Sequence, residues 1–144
     1  YMDKYNFFPV FGRGRNLMQP VNAKDLGDAY FDVLKHKKNT FGKQYNLSGK
    51  DQISYISLLR EVSFALRKKV FFIYIPIWAC LLGAYIMNFL LKSRFPISVE
   101  QVLRMKEDKI FSFEDANKDF GYSPMSFRDG IRSEVNELKK KDVY

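Results

Sequence analysis

Soft metal ligands are nearly missing from this sequence: 144 residues contain one cysteine, Cys80, and one histidine, His36. A lone thiol excludes an intrachain disulfide, and with one imidazole it leaves no ligand set for zinc or an iron–sulfur cluster. A reducing compartment is the simpler expectation. Also missing is a Gly-x-Gly-x-x-Gly between a strand and a helix. Gly12-Arg13-Gly14 supplies two glycines and then runs into Asn16-Leu17-Met18, which reads as a turn and only weakly as a phosphate loop. His36, inside Lys35-His36-Lys37, has no triad partner in view. Cys80 sits in an apolar run and reads as core, and the carboxylates are spread along helix faces without a spacing that selects an acid/base pair. No catalytic machinery is recognisable from the residues alone. The chain opens Tyr1-Met2-Asp3-Lys4 and turns apolar at once with Phe7-Phe8-Pro9-Val10-Phe11. A basic-then-apolar leader is not indicated, and so abrupt a start raises the expectation of a fragment of a longer protein.

What is present suits a globular chain. Apolar residues are 47% and aromatics 17%, enough for one hydrophobic core. The net charge of +8 is carried partly by Lys35-His36-Lys37-Lys38, Arg67-Lys68-Lys69 and Lys139-Lys140-Lys141. Each cluster ends an expected helix, where cations complement the negative end of the helix dipole. No aromatic-interleaved motif accompanies them, so nucleic acid is not expected as a partner.

Period and punctuation give mixed strands and helices. Residues 7–11 read as a strand, 12–16 as a turn, and 17–21 as a second strand with Pro20 near its end. Asn22 is an N-cap with Asp25 at the capping-box position, and Leu26, Tyr30, Val33 and Leu34 form the apolar stripe of the helix that follows. Residues 43–47 read as a short strand. Ser54 caps a helix with the stripe Ile56, Leu59, Val62 and Leu66. Residues 71–75 are strand-like, and Pro76 opens a helix. Ser98 with Gln101 is a further capping box, Ser112 caps a helix stopping at Gly121, and a last helix from Ser126 aligns Phe127, Ile131, Val135 and Leu138.

Residues 70–91 are uncharged throughout, between Lys69 and Lys92. Pro76 divides this run, and a helix from 76 to 91 would measure roughly 24 Å, short of the ~30 Å hydrocarbon layer. A core helix is the first reading. A membrane-anchored protein using residues 70–91 and a surface-associated helix are the alternatives.

The order of the pieces resembles the extended short-chain dehydrogenases/reductases. Gly12-Arg13-Gly14 with the stretch from Gln19 to Ala29 is similar to their "G-x-G … V-x-V-x-D-h-A-x-A", where h is apolar. Residues 42–49 resemble "G-x-x-Y-N-h-G-G", Ile75-Pro76-Ile77-Trp78 the "h-P-h-W/x" junction, and residues 115–124 with 127–131 the "D-x-s-K-A-x-x-x-L-G-a-x-P-x-x-h-x-E-G-h" stretch. The resemblance implies an α/β fold: the C-terminal, substrate-side part (residues 1–144) of a Rossmann-type protein, with a small, partly open sheet and about six helices. An N-terminal half, absent from this chain, would bind NAD or NADP on a Gly-rich turn and carry a Tyr-x-x-x-Lys pair; no tyrosine here has a lysine four residues on. The implied activity of the intact protein is that of an NAD(P)-dependent epimerase, dehydratase or reductase. Its substrate would be a nucleotide sugar or another small molecule, and this chain alone would be inactive.

Site residues follow from the same resemblance. The family's epimerases carry an arginine near the second strand where this chain has Met18, which leaves Arg13 and Arg15 as candidates for substrate phosphates. Gln19 would reach the cleft or pair at the strand end, and Asn22 would contact substrate or cap its helix. Gly12 and Gly14 are expected to serve turn geometry, and Tyr74 and Trp78 to pack in the core. Gln19-Pro20-Val21 also resembles atypical members related to the accessory subunit of respiratory complex I. That subgroup makes a non-catalytic scaffold the alternative. A cytoplasmic protein, with peripheral membrane contact and a homodimer left open, completes the expectation.

Overall fold

Phe7–Phe11 forms strand β1, and Phe71–Ile75 forms β4, its parallel partner, with Phe7 opposite Phe71 and Phe11 opposite Ile75. The computed structural model describes residues 2, 4–91, 99–104 and 107–141. Between the two strands come β2 (Leu17–Met18), α1 (Ala23–Lys35), the single turn α2 (Lys37–Thr40), β3 (Ile53–Ser54) and α3 (Tyr55–Leu66). After β4 come α4 (Ile77–Leu91), α5 (Val99–Arg104), α6 (Glu114–Phe120) and α7 (Phe127–Lys141). The architecture is α/β, with six helices longer than one turn and small open sheets among the described residues. The chain divides into two units, one made of residues 1–17 and 54–108 and the other of residues 18–53 and 109–144. The expected capping box at Ser98 lies outside the described residues.

In the first unit, Val10 is fully buried and packs with Met2 and Leu59, flanked by Phe8, Ile56, Val62, Leu66 and Phe72. This is the stripe expected of α3, and its cap is also the expected one: Ser54 Oγ accepts the amide of Ser57. Arg67 closes α3 in the left-handed region at φ 57°. Gly14, at φ +61°, is needed at the turn after β1, since a Cβ there would stand 3.0 Å from Val10 and 3.2 Å from Ile56. The Ile56 amide bonds the Gly14 carbonyl across that close approach. Pro76 precedes α4, and its carbonyl accepts the amides of Ala79 and Cys80.

Tyr74 and Trp78 are exposed, at 50% and 69%, and not core as expected. The α3 side of the sheet takes Phe8, Val10 and Phe72 and leaves Phe7, Phe71 and Ile73 exposed. Cys80 is half-buried, and burial raises its thiol pKa.

In the second unit, Ala29, Ala116, Phe120 and Tyr122 are the buried cluster, with Val21, Val33, Tyr45, Leu47 and Phe113 against it. The rings stack edge to face, Tyr45 on Phe120 at 5.1 Å and Phe113 on Tyr122 at 5.7 Å. Three expectations need correction. The buried face of α1 centres on Ala29, flanked by Leu26 and Val33, and leaves Tyr30 and Leu34 exposed. Leu138 is 56% exposed, because α7 outruns the cluster after buried Val135. The second strand is two residues long, and residues 43–47 form no strand. Side-chain bonds to backbone occur just beyond them, at Ser48 and Gly49. Asn22 caps α1 through the Lys24 amide, while the Asp25 carboxylate accepts the Met125 amide. Ser112 Oγ bonds the Glu114 amide ahead of α6, and Gly121 ends that helix at φ 77°.

Candidate functional site

Residues 45–48 share a wall with residues 18–20 in the second unit without forming a strand, and Gln19 ties the segment at Gly49. Its amide nitrogen donates to the Gly49 carbonyl at 2.8 Å, its amide oxygen accepts the Phe111 amide at 2.9 Å, and its own carbonyl accepts the Gly49 amide. Gly49 is obligatory at this crossing, since any Cβ on it would overlap the Pro20 carbonyl. Ser48 adds a hydroxyl bond to the Phe111 carbonyl, and the Tyr122 hydroxyl bonds the Ser48 carbonyl. Backbone groups with no sheet partner are thus satisfied by side chains, as burial demands.

A pocket of about 420 Å³ opens along this segment, lined among others by Met18, Gln19, Tyr45, Asn46, Lys109 and Phe111. An adjoining pocket of about 370 Å³ shares Gln19 and Phe111 and adds Lys50 and Glu114. The first wall is mostly apolar, with one cation and two amides. Tyr45 is not available for proton transfer. Its hydroxyl donates to Asp119 at 2.6 Å, and burial, then that bond, push its pKa up to about 12. Lys43 meets the same carboxylate at 2.6 Å, and the two donors hold Asp119 below its ordinary value. With Tyr45 held in its bond to Asp119, the remaining polar side chains of the wall are Gln19, Asn46, Ser48 and Lys109.

Asn22 lines a separate pocket of about 330 Å³ together with Ser126 and Glu134. Its side-chain oxygen caps α1, and its nitrogen donates to Glu134 at 3.2 Å. Beside it, the Phe127 amide donates to Asp51, and Ser126 exchanges hydrogen bonds with Asp129 at the start of α7. Arg13 and Arg15 are exposed in the turn after β1, in the first unit, and line none of these pockets. His36 is exposed and bonds the Asp32 carbonyl through Nδ1. Sequence reasoning missed Asn46 and Lys109, which no spacing links to Gln19. Among the described residues no cluster of three potential metal ligands occurs.

No protein-family model matches the chain. A curated relative, the mitochondrial NADH dehydrogenase (ubiquinone) 1 alpha subcomplex subunit 9 of Arabidopsis thaliana, is 26% identical over 108 residues. The match takes in 74% of this chain but 27% of that protein, so the chain spans about a quarter of its relative's length. Among solved structures, gox2253 superposes with a TM-score of 0.71 at 20% identity over 95% of this chain and 40% of its own. UDP-glucuronic acid 4-epimerase from Bacillus cereus, solved with NAD, gives 0.62 at 18% identity over 92% and 34%. A triphenylmethane reductase from Citrobacter sp. gives 0.59 at 18% identity over 93% and 46%. The fold is thus the α/β fold of part of these epimerases and reductases.

Proposed function

We propose that this chain is the substrate-side part of an NAD(P)-dependent protein of the short-chain dehydrogenase/reductase type, whose cofactor-binding Rossmann half lies outside it. The observation that carries this reading is the β1–β4 pair. Parallel strands are stable when both faces are covered, yet this pair is packed on the α3 side and exposes Phe7, Phe71 and Ile73 on the other. Each strand has one partner among the described residues, so two ladder edges stand ready for further strands. In the intact protein, the pocket beside Gln19 holds a nucleotide sugar or another small polar substrate. Lys109 faces its phosphates and Asn46 its hydroxyls, while Gln19 shapes the wall through its bonds to Gly49 and Phe111. NAD or NADP, bound by the other half, supplies hydride chemistry.

The test is the sequence preceding Tyr1, followed by binding. A Gly-rich strand-to-helix turn with a Tyr-x-x-x-Lys pair, and micromolar binding of NAD(H) or NADP(H) by the full-length protein, are the expected results. A preceding segment with neither feature contradicts the reading.

A non-catalytic scaffold is the second reading, and the hydrogen bonds of two candidate residues favour it. Both ends of the Gln19 amide are occupied by backbone, and Asn22 is spent on its cap and on Glu134. The relative's name makes it a subunit of a larger assembly. A full-length protein that binds the dinucleotide and gains thermal stability from it, but oxidises no sugar nucleotide, would identify this case.

A further inference from the structure

Helix α4 carries a second unfinished surface, of a different kind from the open sheet. Trp78, Leu82, Tyr85 and Ile86 fall at i, i+4, i+7 and i+8, one stripe, and are 69%, 53%, 70% and 46% exposed. Missing strands would dock on the backbone edges of β1 and β4, whereas the side of a helix offers only side chains. A stripe of this size on a helix without a charged residue calls for an apolar cover.

The charges around it indicate which cover. From Val62 to Val99 the sequence contains no aspartate or glutamate, while Arg67, Lys68, Lys69, Lys92 and Arg94 bracket the apolar run on both sides. In the first unit, Arg60, Ser63, Phe64, Lys68, Lys69 and Phe71 line an open pocket of about 390 Å³, a cationic and aromatic groove just before the strand that leads into α4. Exposed tryptophan and tyrosine, an apolar stripe and cationic flanks, with Glu61 the one acid beside the groove in sequence, match the layers of an anionic phospholipid surface: acyl boundary, headgroup and phosphate. No described helix is long and apolar enough to cross a membrane.

We propose that the protein binds anionic membranes peripherally, with the Trp78–Leu82–Tyr85–Ile86 face of α4 immersed at the acyl–headgroup boundary and Arg60, Lys68 and Lys69 on lipid phosphates. The inference does not depend on the cofactor or substrate assigned above. Its test uses the full-length protein and vesicles of phosphatidylcholine, with or without phosphatidylglycerol. Sedimentation with the phosphatidylglycerol vesicles, weakened by salt, is expected, as is release from native membranes by alkaline carbonate without detergent. Brominated lipid should quench the emission that Trp78→Phe removes. Lys68→Gln with Lys69→Gln should weaken binding about fivefold per cation, and Trp78→Ser with Tyr85→Ser about tenfold or more.

Four results overturn the proposal. They are a protein that stays in the supernatant with anionic vesicles, a Trp78 unquenched by brominated lipid, a requirement for detergent (a span), and a vesicle-free dimer that Leu82→Glu dissociates (a second copy on the stripe). Sedimentation with and without phosphatidylglycerol uses the unaltered protein, so a variant that fails to fold leaves that test intact.

Discussion

The two units bury themselves by different means. In the second, side chains from distant parts of the chain fasten bare backbone: Gln19 on Gly49 and Phe111, Tyr122 on Ser48, Asp25 on Met125, Asp51 on Phe127. These bonds close the unit around aromatic rings without a sheet worth the name. The first holds the five-residue parallel pair, packed on α3, and leaves Phe71, Trp78 and Tyr85 each about 70% exposed or more. Both units leave apolar side chains exposed, Leu34 and Phe41 in the second as Phe71 and Trp78 in the first, but only the first also presents the open ladder edges of a five-residue parallel pair.

Substitutions can break this contrast. The largest effect is expected at Gly49→Ala, which drives a Cβ into the Pro20 carbonyl and should cost about 3 kcal/mol, read by urea denaturation. Val10→Ala in the first unit removes two methyls from a fully buried site and should cost about 2 kcal/mol. Tyr122→Phe leaves the Ser48 carbonyl without its bond and should cost about 1.5 kcal/mol near neutral pH.

The same tyrosine sharpens the alkaline limb. Burial, then the charge of Asp25, raise its pKa to about 12. Its protonated form thus stabilises the fold fully below the ordinary value of 10, and this is lost as the pH rises through about 12. Tyr122→Phe should flatten the alkaline fall in Tm. Asp119 behaves oppositely. Lys43 and Tyr45 hold it below 3.8, so its contribution is present above that value and is lost as the pH falls through the lower folded one. Asp119→Asn should flatten the acid limb. The smallest change is expected at Ile73→Thr, where a half-exposed side chain should alter stability by no more than about 0.5 kcal/mol while reducing self-association measured by light scattering.

Legibility in the sequence followed the same division. Residues 7–11 and 71–75 were readable as strands, and Ser54 as a cap, because aromatic and β-branched runs and capping chemistry are local signals. Residues 43–47 carry a strand's composition but have no strand partner, and the Lys43 and Tyr45 side chains donate instead to the Asp119 carboxylate, 74 residues beyond Tyr45. Tyr30, Leu34 and Leu138 keep helical period yet overrun the cluster they were expected to join. Trp78 and Tyr74 looked like core because composition cannot distinguish a residue covered by its own chain from one covered by something else. The pocket was legible only through Gln19; Asn46 and Lys109 reach it by topology.

Hydrogen exchange on this chain alone and on the full-length protein tests the central claim most directly. The account predicts that amides of β1 and β4 exchange fast in the isolated chain and gain strong protection in the full-length protein, while amides bonded in the second unit, such as those of Gly49, Phe111 and Phe127, are protected equally in both. Equal protection of β1 and β4 in the two would contradict it.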